Sequence, residues 1–166
     1  MDRMEDHAFF IDGKPISSQK VDIFDRWFYW RAFRKFPGLS SCETGSVQGA
    51  TNSDSKLKWK SMRTLAQIQV CMFHLSNSLD APEMVAQRLQ EEGFDVIYRE
   101  QSGFGGQGIS AIWNKNKHDS LSPLSLMSVW GLTLISPFVS SGVEIQLLFD
   151  ENGVTLTETK VRFSTL

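Results

Sequence analysis

The sequence predicts an α+β protein: an antiparallel or mixed β-sheet with one helix packed on one face, preceded by an aromatic helical arm. Three observations predict it. A well-punctuated helix follows Asp80, apolar segments of period two succeed one another after Gly93, and an Asn-Gly turn joins the last two of them. The bulk composition is that of a folded chain, with 41% hydrophobic and 22% charged residues among 166. Seventeen basic and nineteen acidic side chains leave a net charge of -2, so no global field recruits nucleic acid or anionic lipid. Two cysteines cannot build a disulfide framework, and neither a CxxC pair nor a Cys/His cluster points to zinc. The residues therefore imply no metal and no cofactor.

The elements follow in order. Ala8-Phe9-Phe10-Ile11 leads to a turn at Asp12-Gly13-Lys14-Pro15. A helix is expected from an N-cap at Ser17 or Ser18 to the stop at Pro37-Gly38. Seven aromatic residues fall between Phe24 and Phe36. At about 100° per residue Ile23, Trp27, Trp30 and Arg34 share one side, while Phe28, Tyr29 and Phe36 lie elsewhere. A short helix that is aromatic nearly all round needs partners on more than one side.

From Pro37 to about Ser55 the chain is rich in Ser, Gly, Thr and Asn and reads as a linker. The expected organisation is an aromatic and basic arm at 1–36, a linker at 37–59 and an α+β domain at 60–166. Within that domain Leu65 to Leu75 alternates for part of its length and reads as a strand. The helix from Asp80 to Glu92 has a capping-box spacing in Asp80 and Glu83, a staple in Leu79 and Met84, and Pro82 in its first turn. Val85 and Leu89 form its buried stripe, and Gly93-Phe94 suits a Schellman end. Strands are expected at Phe94–Arg99, Ile109–Trp113 and Leu124–Ile135, then a hairpin of Val143–Phe149 and Val154–Val161 about Asp150-Glu151-Asn152-Gly153. The chain has no charged residue from Ser120 to Val143, and a buried strand ending at Pro137 accounts for this without a membrane span.

The candidate sites are few. Ser102 to Gly108 is glycine-rich but leads into a strand rather than a helix N-terminus, so it reads as a hairpin loop and not a phosphate cradle. Cys71 and His74, on a strand, would point to opposite faces and could not cooperate. His7, His118 and the carboxylates near Glu91, Glu92, Asp95 and Glu100 or at Asp150-Glu151 form no recognisable catalytic set. Leu39-Ser40-Ser41-Cys42 has the form of a bacterial lipobox, with Cys42 as the lipidation point. Asp25, Arg26, Arg31, Arg34 and Lys35 upstream interrupt the apolar stretch that export requires.

The aromatic-basic block is the leading binding candidate, through Arg26, Trp27, Trp30, Arg31, Phe33, Arg34 and Lys35. It could pack on the domain, on a homo-oligomer partner or on another protein, or lie at a membrane surface. Stacking on single-stranded nucleic acid is chemically allowed, but the near-neutral charge argues against it.

Val85, Leu89, Gly93, Phe94, Asp95 and Val96, followed by Trp130-Gly-Leu-Thr-Leu-Ile-Ser-Pro137 and a hairpin turning at Asp150 and Gly153, resemble small bacterial envelope lipoproteins over residues 42–166. The resemblance implies a lipidated Cys42 followed by a tether, and location in the cell envelope; without it the location would be cytoplasmic. It brings no catalytic residue. The function expected is therefore a non-enzymatic interaction protein, an envelope accessory or immunity-type binder. The alternatives are a small enzyme with a ligand site near Gly103–Gly108 and a single-strand nucleic-acid binder using the arm.

Overall fold

A computed structural model describes residues 9–11, 14–16, 18, 21–45, 55–79, 81–99, 106–114, 142–153 and 155–164. The fold is α+β, as expected. Strands β1 (Phe10–Ile11) and β2 (Lys14–Pro15) pair antiparallel and precede helix α1 (Ile23–Lys35). The one-turn helix α2 (Leu39–Cys42) runs into β3 (Glu43–Thr44), which pairs antiparallel with β4 (Lys56–Leu57). A 3₁₀ turn at Trp59–Ser61 leads to α3 (Leu65–Ser78) and α4 (Pro82–Glu91). Strands β5 (Asp95–Arg99), β6 (Gly108–Asn114), β7 (Gly142–Phe149) and β8 (Leu156–Ser164) then form an antiparallel sheet in sequential order.

The sheet alternates along β5, β6 and β7, and along β8 beyond a register shift opposite Leu148 and Phe149. Register pairs Val96 with Ala111, Ala111 with Ile145 and Ile145 with Val161, all on the face that α3 and α4 cover. The opposite face carries Asp95, Ser110, Glu144, Gln146, Lys160 and Arg162, with Arg162 Nε donating to Glu144 Oε2 at 2.9 Å. The β7–β8 hairpin is the expected one. Gly153 has φ +68° and donates to Asp150 O at 3.0 Å, and a Cβ there would run into the Gln107 side chain.

Helix α4 also ends as its sequence requires. Gly93, at φ +94°, donates to Gln90 O and Phe94 N donates to Leu89 O, which is the hydrogen-bond pair of a Schellman motif. Its start differs from expectation. Ala81 is the N-cap and Pro82 the first helical residue, so Asp80, which lies outside the described residues, is one position too early for a capping box. Met84 is 48% exposed and lines a surface groove together with Leu79.

Three further expectations are corrected. Leu65–Leu75 is helical, not a strand: Thr64 caps it, its Oγ1 accepting from Gln67 N at 3.2 Å. Ile68, Val70, Cys71, Met72, Phe73 and Leu75 are all buried, because the sheet covers one side of α3 and α1 with α2 covers the other. A helix enclosed in this way loses its 3.6-residue apolar period, and a chance alternation then reads as a strand. Helix α1 begins at Ile23 rather than after Ser17 or Ser18, because the Asp22 carboxylate caps it by accepting from Phe24 N at 2.7 Å. The expected linker contributes α2, β3 and β4 from its two ends, with Cys42, Leu57 and Trp59 buried. Residues 46–54 of that stretch, the Leu124–Ile135 strand and the charge-free segment around it lie outside the described residues.

The two cysteines form one disulfide, Cys42–Cys71, with both residues fully buried. It ties α2 to α3 across a sequence separation of 29 residues. Closing a loop of that length removes conformational freedom from the unfolded chain, and typically stabilises by about 3 kcal/mol. We expect the double substitution Cys42→Ser/Cys71→Ser to lower the unfolding free energy by about 2–4 kcal/mol in urea titrations. An unchanged midpoint would show that the covalent tie adds nothing to the packing around it.

Candidate functional site

Helix α1 divides into two sides. On the inner side Phe9 packs against Tyr29, Phe33 and Phe73 with ring centroids 5.2 Å apart in each pair, and Phe33 sits edge-on to His74 at 5.7 Å. Tyr29 Oη donates to Gln69 Oε1, and Gln69 Nε2 donates to Thr159 O at 3.0 Å. One buried amide thus connects α1 through α3 to β8. Lys35 Nζ donates to Ser61 O at 2.7 Å, and the Phe36 carbonyl accepts from His74 Nε2 at 2.9 Å. A carbonyl can only accept, so this nitrogen carries the proton.

The outer side shows the opposite character. Ile23 is 70% exposed, Phe24 69%, Trp27 43% and Trp30 50%. Arg31 lies over the Trp27 ring at 4.7 Å from its centroid, and Arg34 over Trp30 at 4.8 Å. Neither guanidinium has an ion-pair or hydrogen-bond partner among the described residues. The six residues fall in one arc of the helix, so they form a continuous ridge of apolar surface and flat cations, about 16 Å long at 1.5 Å per residue. Exposed rings and Ile23 together approach the size of the largest apolar patch on a typical monomer, roughly 300–600 Å².

The sequence-predicted binding residues therefore separate. Trp27, Trp30, Arg31 and Arg34 come together on the outer ridge. Phe33 points into the core, Lys35 is turned back onto the Ser61 carbonyl, and Arg26 is half-buried with its Nε enclosed and unpartnered. Ile23 and Phe24 join the ridge although only Ile23 had been aligned with it by helical angle. Cys42 has its sulfur bonded to Cys71, and a lipid thioether and this disulfide exclude one another. His74 and Cys71, being three apart on a helix, share a side of it, contrary to the strand reading; the Cys71 sulfur is nonetheless committed to Cys42.

Other surface features are structural in their contacts. A groove of about 410 Å³ between α2, α3 and α4 is lined by Leu39, Leu75, Leu79, Met84 and Arg88. Arg88 lies 3.6 Å from Glu43, 3.7 Å from Glu91 and 3.7 Å from Glu92. Glu92 in turn accepts from Leu57 N at 2.8 Å and Trp59 Nε1 at 2.9 Å, so this cluster ties β4 and the 3₁₀ turn to α4. Of the glycine-rich loop, Gly103–Gly105 lie outside the described residues. Gly106 passes so close to the Phe149 carbonyl that a Cβ could not fit, and Gln107 O accepts from Phe149 N at 2.8 Å. His7 and His118 also lie outside the described residues. Among the described residues no three His, Cys, Asp or Glu side chains converge as metal ligands, and no helix is long and apolar enough to cross a membrane.

Comparison of the chain with family models, curated proteins and solved structures finds no match. The chemistry of the ridge must therefore be read from its own residues. Sequence reasoning missed the disulfide and the Gln69 bridge. The signal for the second was present: an amide set directly between Ile68 and Val70 and buried with them requires a hydrogen-bond partner.

Burial pushes the His74 imidazole below its ordinary pKa of 6.5, against the smaller upward pull of its hydrogen bond to Phe36. Because folding lowers this pKa, the unfolded chain binds the proton more readily. The stabilisation held above the ordinary value is lost as pH falls through it. Urea midpoints measured from about pH 8 down to about pH 5 should decline more steeply for the wild type than for His74→Gln. Parallel declines would show that His74 makes no contribution.

Proposed function

We propose that this protein is a non-enzymatic interaction protein that docks through the outer side of α1, in an oxidising compartment such as the cell envelope. The observation that carries the reading is the ridge itself. Ile23, Phe24, Trp27 and Trp30 face solvent on a helix whose opposite side is already fixed by Tyr29, Ala32, Phe33 and Phe36. Rings left in water add little to folding, and Trp and Arg are the residue types that dominate the energetics of protein interfaces. A ridge on a helix held by a packed inner face is presented without loss of backbone order, which limits the entropic cost of association.

The Cys42–Cys71 disulfide supports the oxidising compartment. A buried structural disulfide is characteristic of secreted and envelope proteins and rare in a reducing cytosol. The resemblance of residues 42–166 to envelope lipoproteins points the same way, although a disulfide-bonded Cys42 would not carry the lipid. We expect protein isolated without reductant to have a mass lower by two hydrogens than the reduced chain, and to take up no iodoacetamide when denatured. Free thiols at both positions would remove the support for an oxidising compartment.

The docking role separates from a folding role by substitution. Trp27→Ser with Trp30→Ser should change the unfolding free energy by less than about 1 kcal/mol, as expected for two exposed positions. Tyr29→Ala on the inner side should cost about 3 kcal/mol or more. In the native host, a photo-crosslinking residue at position 24 should give discrete adducts that the double serine variant loses, and one at exposed Asn77 should not. Equal adducts from both positions, or none from position 24, would refute the docking face.

A further inference from the structure

Resting on that docking face, we infer that its occupant is an acidic amphipathic segment of a second protein. Its apolar side chains would lie on Ile23, Phe24, Trp27 and Trp30, and its carboxylates would meet Arg31 and Arg34. Ile23, Trp27 and Trp30 stand at i, i+4 and i+7, the spacing at which one helix offers anchors to an apolar partner surface. The cations within this ridge decide the charge of the partner. Arg31 and Arg34 are exposed and have no ion-pair or hydrogen-bond partner among the described residues, and their guanidinium carbons lie 4.7 and 4.8 Å from the Trp27 and Trp30 ring centroids. A guanidinium fork in this position suits bidentate binding of a carboxylate.

Three other occupants fit less well. A second copy of the chain would bring two ridges together, setting four guanidiniums against one another with no acidic side chain on the ridge to pair with them. A bilayer favours cations on the polar side of a helix, flanking the buried stripe. Here Arg34 lies at the middle of the stripe, between Ile23 and Trp27 in helical angle, on a chain whose net charge is -2. Single-stranded nucleic acid would need open ring faces for its bases, and one face each of Trp27 and Trp30 is already covered by an arginine.

The test titrates the full chain into a fluorescein-labelled amphipathic peptide of Glu, Leu and Phe, read by anisotropy, beside a twin with every Glu replaced by Gln. Vesicles of equal phosphatidylcholine and phosphatidylglycerol, an oligothymidylate, and sedimentation equilibrium of the protein alone form the parallel arms. The acidic peptide should bind at least about tenfold more tightly than its Gln twin, weaken with added salt, and lose at least about tenfold in Arg31→Gln/Arg34→Gln. That variant should keep the wild-type circular dichroism spectrum and melting temperature. Equal binding of the twins, or no peptide binding, overturns the acidic partner. Vesicle binding, oligothymidylate binding or self-association that Trp27→Ser/Trp30→Ser abolishes also overturns it, while leaving the docking face standing with a different occupant. Failure of the docking face itself is read separately, from the crosslinks at position 24.

Discussion

Helix α3 carries large apolar side chains on two sides, and the rest of the fold is arranged to bury both. The inner face of the sheet covers one side, through Thr159 and Val161 of β8, and α1 with α2 covers the other. Each of Ile68, Val70, Met72 and Leu75 contributes on the order of 1.5–3 kcal/mol when fully buried, so neither covering layer is dispensable. Gln69 follows from the same constraint. At this buried position the side chain has no solvent to bond, and the amide is satisfied by reaching Tyr29 in one layer and the Thr159 carbonyl in the other. The disulfide makes a third connection, covalent rather than polar, between α2 and α3.

That requirement accounts for three of the seven aromatic residues between Phe24 and Phe36. The rings at Tyr29, Phe33 and Phe36 cover α3 together with Phe9, and the edge-on packing of Phe33 on Phe73 and His74 and of Phe9 on Phe73 fixes how α1 lies. The remaining rings cannot be used in this way. A helix has only one side to offer a single neighbour, so Phe24, Trp27 and Trp30 are turned outward once Tyr29 and Phe33 are turned in. The arm is thus a covering layer on one side and an exposed aromatic surface on the other.

How far the sequence could be read depended on whether local signals or tertiary burial decided each element. The β7–β8 hairpin and the C-terminal end of α4 were legible because Gly153 and Gly93 must adopt positive φ, a property of single residues. The core pattern of Val85 and Leu89 was legible because α4 keeps a solvent side against which a period can be seen. Helix α3 was not, since burial on both sides erases that contrast. The pairing of Cys42 with Cys71 was equally hidden: their separation in space depends on how α2 lies against α3, and no local pattern encodes it. For the candidate site, helical angle alone aligned Ile23, Trp27, Trp30 and Arg34 correctly. It could not say whether that side or the side of Tyr29 and Phe33 would be inward, because both are aromatic.

The ambiguity of α1 follows from the chemistry of its ridge. An ordinary surface helix separates apolar and charged side chains onto opposite sides, and its period is then easy to see. Here Arg31 and Arg34 stand among the rings, which blurs the period and leaves the inner and outer sides of similar mean polarity. Arginines so placed are not needed by the fold, since no carboxylate meets them among the described residues. Stacking on Trp27 and Trp30 restricts their rotamers in advance, at a site where a free arginine would lose about 2 kcal/mol of side-chain entropy on being immobilised. The arrangement that obscures the helix in the sequence is therefore the one that the proposed docking reading rests on: two exposed cations held beside exposed rings.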